Sequence, residues 1–177
     1  MGLAVILIFS ILLFRNILQK KKAHSLLEIK TVEIASQKKV IEEKNKDITD
    51  SINYSKRIQE AILPSRELKK KLFQNAFVLF KPKDIVSGDF YWVQGSNRNF
   101  CIVAADCTGH GVPGAFMSIV GHNLLEKAVN EFKLTQPSLI LNSLSRGIVK
   151  TLHQSENETG LKDGMDIALC AINFNTN

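Results

Sequence analysis

Val86-Ser87-Gly88-Asp89-Phe90 and, beyond the apolar run Phe100-Cys101-Ile102-Val103-Ala104-Ala105, the continuation Asp106-Cys107-Thr108-Gly109-His110-Gly111-Val112-Pro113-Gly114-Ala115 decide how this chain is read. The middle run is continuously apolar and bounded by Asn and Gly signals, the pattern of a buried strand. Its end delivers Asp106 to the rim of a sheet, and Val86–Asp89 reads as a second β-like run ending in a carboxylate. Two carboxylates can therefore meet at one spot. Oxygen ligands of this kind suit Mg²⁺ or Mn²⁺, and adjacent glycines let backbone carbonyls approach an ion or a phosphate closely. The plainer alternative is that both aspartates only cap turns.

The 177 residues suffice for one domain with a real core plus an appendage. The net charge of +6 suggests nucleic acid until it is divided along the chain. Arg15 to Lys83 holds 17 basic and 8 acidic residues, giving +9, whereas Asp84 to Asn177 holds 6 basic and 9 acidic, giving −3. A nucleic-acid binder would carry its basic face on the folded domain, so the partition points instead to a membrane surface beside the N-terminus. Cys101, Cys107 and Cys170 show no C-x-x-C spacing, and Cys101 and Cys170 lie in apolar runs. They read as reduced thiols in a cytosolic setting, not as a zinc site or disulfide framework.

Gly2 to Phe14 is uncharged and almost wholly apolar, and counting Ile17 and Leu18 extends it to the lower limit for a bilayer span. No basic residue precedes it and no small-x-small cleavage site follows, so a transmembrane anchor over 1–19 is expected rather than a signal peptide. Arg15, Lys20, Lys21 and Lys22 then place everything after residue 15 in the cytoplasm, a single-pass protein of the cell membrane. Opening on an apolar run at Met1 also suggests a longer N-terminal sensor region upstream.

Ala23 to Leu63 contains no Gly or Pro, and Leu27, Ile34, Ile41, Ile48 and Ile62 recur at seven-residue spacing with Ser55 in the gap. This predicts a long coiled-coil-like helical stalk over 20–65. The second apolar position of each heptad is poorly kept, so a weak parallel homodimer that repacks with signal competes with a plain solvated spacer. Pro64 and Ser65 end the helix, and Arg66–Leu72 is a short helical piece leading to a strand at Ala76–Phe80.

After Asp106 the pattern turns helical. Pro113 suits a first turn, and Phe116, Ile119, Val120, Leu124 and Ala128 form one buried face through about Phe132. Pro137 opens another helix with the stripe Leu139, Ile140, Leu144, Ile148, Val149 and Leu152; a polar loop, Gln154–Lys162, and a strand, Asp166–Phe174, follow. Helices and strands in blocks favour an α+β layered sandwich.

Across roughly Ala76 to Asn173 these residues resemble the PPM-type (protein phosphatase 2C-like) metal-dependent serine/threonine phosphatases, in the bacterial SpoIIE-like branch. Ser51–Ser65 resembles the helix that precedes such domains. G-D-F alone is a weak signal and D-x-x-G-H-G a moderate one, but at this separation and followed by V-P-G-A-F-M-S they are strong. The resemblance implies an α/β/β/α sandwich, of which 66–177 is the N-terminal part. It implies hydrolysis of phosphoserine or phosphothreonine with two Mn²⁺ or Mg²⁺ ions, Asp106 bridging both, Asp89 binding one, and the Cys107 carbonyl completing the set. Its substrate in that branch is a phosphorylated regulator such as an anti-sigma-factor antagonist.

Other residues carry weaker signals. Gly109 and Gly111 keep the turn tight; His110 could be a general acid or an outer-shell group; Lys81 and Lys83 could steer a phosphate or simply be solvated. Asp163 and Asp166 look like ligands by composition, yet Asp163-Gly164 is an ordinary turn and Asp166 begins a strand. Trp92 and Tyr91 read as strand-packing residues. The chain stops soon after Asp166–Phe174, whereas the family completes its site with further C-terminal aspartates, so an incomplete metal site is expected. The competing reading is a non-catalytic phosphatase-like interaction module on a helical stalk.

Overall fold

A computed structural model describes residues 2–65, 67–68, 77–95, 99–154 and 163–174. The chain divides into two compact units, Met1–Thr49 and Asp50–Asn177. The described residues of the first unit are all helical, part of helix α1 (Gly2–Ile62), as the lack of Gly and Pro from Ala23 to Leu63 predicts. Pro64 follows directly, where its ring and missing N–H forbid another turn.

The transmembrane anchor expected over 1–19 is not supported. Among the described residues no helix is long and apolar enough to cross a membrane.

The second unit is built on three strands, β1 (Phe90–Gly95), β2 (Asn99–Cys107) and β3 (Met165–Asn173), antiparallel throughout in the order β1-β2-β3. Helices α2 (Gly111–Glu126) and α3 (Pro137–Thr151) lie against one face. Between them a π-helical turn, Lys127–Glu131, ends α2 earlier than the periodicity through Phe132 implies.

Strand side chains alternate, and register decides which face each row occupies. Phe90, Ala105 and Ile167 form one row and Trp92, Val103 and Leu169 another, both directed at the helices. They meet Met117, Leu125 and Ala128 from α2 and its π-turn and Ile140, Leu144 and Ile148 from α3. Burying each large apolar side chain of this set contributes about 1.5–3 kcal/mol before entropy is subtracted. The intervening rows face away from the helices and are open towards the Asp106 end, with Ala104, Asp106, Asp166, Ala168 and Cys170 exposed, while Val93 and Phe100 on that face are buried. One sheet layered on one pair of helices is the α+β arrangement expected; a second sheet is absent among the described residues.

Two local expectations change. Residues 77–80 of the expected strand Ala76–Phe80 are neither strand nor helix, and Ala76 lies outside the described residues. Alternation alone cannot make a strand when no neighbour accepts its backbone hydrogen bonds. Val86–Asp89 is likewise a loop, so Asp89 precedes β1 rather than ending a strand. The helical piece Arg66–Leu72 and the loop Gln154–Lys162 fall mostly outside the described residues.

Candidate functional site

Asp106 is the penultimate residue of β2 and points to the open face, while Asp89 sits one residue before β1. Because β1 and β2 pair from Phe90↔Ala105 onward, the two aspartates leave the same end of the same strand pair. Their carboxyl groups are close enough to interact, and the Asp89 pKa is raised above the ordinary 3.8, first by desolvation and then by hydrogen-bonding interaction with, and charge repulsion from, Asp106.

A folded-state pKa above the unfolded one means that the folded chain binds more protons. The stabilising contribution is then fully present below the unfolded value and is lost as pH rises through the folded one. In metal-free buffer, Asp89→Asn should therefore melt progressively higher than wild type as pH rises from about 4 towards neutrality. Thermal scans across that range in EDTA check the sign; a difference that shrinks with rising pH would refute it.

A groove of about 1000 Å³ on the open sheet face gathers Asp89, Asp106, Asp166 and Lys81. Asp166 arrives there through register, paired directly with Asp106 across β2 and β3. The pairing is pinned beyond the strand end: Thr108 N–H donates to the Gly164 carbonyl at 3.0 Å, Thr108 Oγ1 donates to Asp163 Oδ1 at 3.1 Å, and Gly164 N–H donates to Thr108 Oγ1 at 3.0 Å. Asp163 thus serves this staple.

Behind the carboxylates three backbone segments cross at van der Waals contact. A Cβ on Gly88 would stand 2.7 Å from the Gly109 carbonyl oxygen and 3.2 Å from that of Cys107; one on Gly114 would stand 2.6 Å from the Gly109 oxygen and 2.9 Å from Gly88 Cα. Gly109 and Gly111 also take φ of 83° and 63°, which favour glycine. The Cys107 carbonyl is thereby held against the Gly88–Asp89 turn. Its thiol is buried on the helix side, and burial, with the charges of Asp106 and Asp89, pushes it up to about 12, so it stays protonated.

The other expected residues lie elsewhere. His110 Nδ1 is 2.8 Å from Asp84 Oδ2, which places the ring against the loop before Asp89. Lys83 lines a separate surface hollow with Asp84, Val86 and Gly111, while Lys81 is the lysine on the carboxylate groove. Trp92 is buried, with Nε1 donating to Glu126 Oε1 at 2.7 Å, consistent with a packing role.

Gln59, unremarkable in sequence, is buried near the end of α1. Its amide donates to the Ser87 carbonyl and to Ser118 Oγ at 2.8 Å, and its Oε1 accepts from Ser87 N–H at 3.0 Å. Ser87 Oγ then accepts from Asp89 N–H at 3.0 Å. One side chain thus ties α1, α2 and the Asp89 turn together. Gln59→Leu leaves the Ser87 amide and carbonyl without these partners and should destabilise the second unit by about 2–4 kcal/mol. Denaturant midpoints measure it, and a change below about 0.5 kcal/mol would remove Gln59 from this role.

Asp89 and Asp106 are fit to receive a divalent cation: oxygen donors only, two acidic groups brought to one groove where each feels the other, and no basic side chain in ion-pair distance of either among the described residues. Mg²⁺ needs no more than one or two carboxylates with water. No group of three His, Cys, Asp or Glu side chains able to hold a metal forms among the described residues.

No protein-family profile matches the chain, and no curated protein does. Among solved structures it is similar to the SiaA-PP2C domain of Pseudomonas aeruginosa, with 33% identity and a TM-score of 0.64 over 73% of this chain. The fold is PP2C-like. The chain spans 50% of that neighbour's length.

Proposed function

We propose that this chain carries the metal-binding carboxylate pair of a protein serine/threonine phosphatase that acts on a phosphorylated regulatory protein, such as an anti-sigma-factor antagonist of the SpoIIE-like kind. The convergence of Asp89 and Asp106 at one end of the β1–β2 pair, lining one groove and close enough that Asp106 raises the Asp89 pKa, carries the reading. A solvated structural role would separate two acidic groups, whereas a cation site requires them together. Asp106, Asp89 and the Cys107 carbonyl would hold the metal in such a site. Bound Mn²⁺ or Mg²⁺ would supply Lewis-acid charge for phosphoryl oxygens and a water of lowered pKa. Within the chain, Asp166 adds acidity to the same groove and Lys81 offers a cation to the monoester.

The exposed seam Leu27, Ile34, Ile41 and Ile48 supports pairing of two copies through α1. The apolar Gly2–Phe14 run followed by Arg15 and Lys20–Lys22 supports attachment at the cytoplasmic face of a membrane, shallower than a full span. One observation favours the competing reading of a non-catalytic interaction module, the lack of a three-ligand group among the described residues. Phosphate release from a phosphoserine peptide by the full-length gene product separates the two. Mn²⁺-dependent release that disappears with Asp106→Asn is expected, and metal binding without any turnover would select the module.

A further inference from the structure

On the outer surface of the helix pair, sharing no lining residue with the carboxylate groove, runs a second groove of about 760 Å³. Its apolar floor is Leu124, Leu134 and Leu139, and Gly147 makes room for it: a Cβ there would stand 2.6 Å from Leu124 Cδ2. Its rim is basic. Lys127, Arg146 and Lys150 line it, and none has a carboxylate within ion-pair distance among the described residues. Glu126, the acidic residue next to Lys127, is turned to Trp92 and Asn130.

Asp84 to Asn177 is mildly acidic, with 6 basic and 9 acidic residues, so three of those cations gathered around one apolar channel depart from its charge balance. Arg146 and Lys150 stand at i,i+4 on α3, a like-charge spacing that disfavours the helix. Leu139, Ser143, Arg146 and Lys150 make one continuous stripe beside the core-facing Ile140, Leu144 and Ile148. The backbone is unusual at the same place. Lys127, which opens the π-turn Lys127–Glu131, lines the groove, Lys133 just beyond that turn takes φ of 54°, and His153, also lining it, takes φ of 51°. π-turns and left-handed non-glycine residues concentrate at functional sites.

We propose that this groove docks an acidic amphipathic helix of a partner protein, its apolar face on Leu124, Leu134 and Leu139 and its carboxylates on Lys127, Arg146 and Lys150. Charge complementarity selects an anionic occupant, and a concave channel with an apolar floor selects a helix over a flat membrane surface. The docking is independent of phosphatase chemistry and is read without it.

The test is fluorescence anisotropy of the full chain with a labelled peptide of about 14 residues, leucine at every third or fourth position and glutamate between. Saturable binding is expected, weakened at least about tenfold in the double variant Arg146→Glu/Lys150→Glu and strongly screened by about 1 M salt. Both side chains are exposed, so folding should survive, and an unchanged circular-dichroism melt confirms it. The same peptide with lysine for glutamate should stay unbound. Binding undiminished in the double variant, or equal binding of the lysine peptide, overturns the proposal. So does a double variant that instead loses affinity for phosphatidylglycerol vesicles, or loses self-association in sedimentation, with peptide binding intact.

Discussion

Asp106→Asn should abolish the thermal stabilisation of this chain by Mn²⁺, and with it the phosphatase activity of the full-length gene product by at least about 100-fold. A ligand that binds only the folded state stabilises it by RT ln(1 + [L]/Kd), about 1.4 kcal/mol at ten times the dissociation constant. On a unit of this size that is on the order of 5 °C. Asparagine keeps the volume of aspartate and removes the charge that an oxygen-ligated cation needs. It also relieves the contact with Asp89, so the metal-free variant should melt no lower than wild type. The combination is diagnostic: an undiminished apo melting temperature with no response to Mn²⁺. Asp166→Asn should weaken the response less, since Asp166 shares the groove but does not contribute to the raised pKa of Asp89. His110→Ala, whose ring is held by Asp84, should leave it unchanged. If Asp106→Asn retains the wild-type shift, the cation binds elsewhere and the proposed site falls.

What was legible in the sequence and what was not divides by distance along the chain. Asp89 and Asp106 stand on either side of one hairpin, so a short apolar run between glycine signals suffices to bring them together. The two helices after Asp106 were readable because their stripes repeat locally, and only the ending of α2 in a π-turn escaped. Asp166 could not be weighed properly because its place depends on the register of β2 with β3, which no local pattern contains. Gln59 escaped for a related reason. On a helix rich in polar residues one more glutamine looks solvated, and its burial exists only because Ser87 and Ser118 come to meet it. The error at residues 77–80 has the opposite origin. Their apolar pattern was real, but a strand is a property of two chains of backbone, and none pairs with this one among the described residues.

Gly88→Ala should cost the second unit about 1–3 kcal/mol and weaken Mn²⁺ binding at least about tenfold, although the added methyl touches neither carboxylate. The atoms it would meet are the Gly109 carbonyl oxygen at 2.7 Å and the Cys107 carbonyl oxygen at 3.2 Å, both backbone. A flexible side chain could swing away, but these oxygens cannot move without moving the turn after Asp106. Gly114 seals the crossing from the other side, its own missing Cβ lying 2.9 Å from Gly88 Cα, so the strain cannot be released towards α2. The relief left is to part the Asp89 loop from the end of β2, which separates the two carboxyl groups. Gly164→Ala is the matched control: no atom lies within 4 Å of a Cβ there, so its effect should stay within about 0.5 kcal/mol, with Mn²⁺ binding intact. Calorimetric titration and thermal melts of the two variants side by side decide the point. Equal Mn²⁺ affinity in Gly88→Ala and wild type would mean that the glycine crossing does not set the spacing of Asp89 and Asp106.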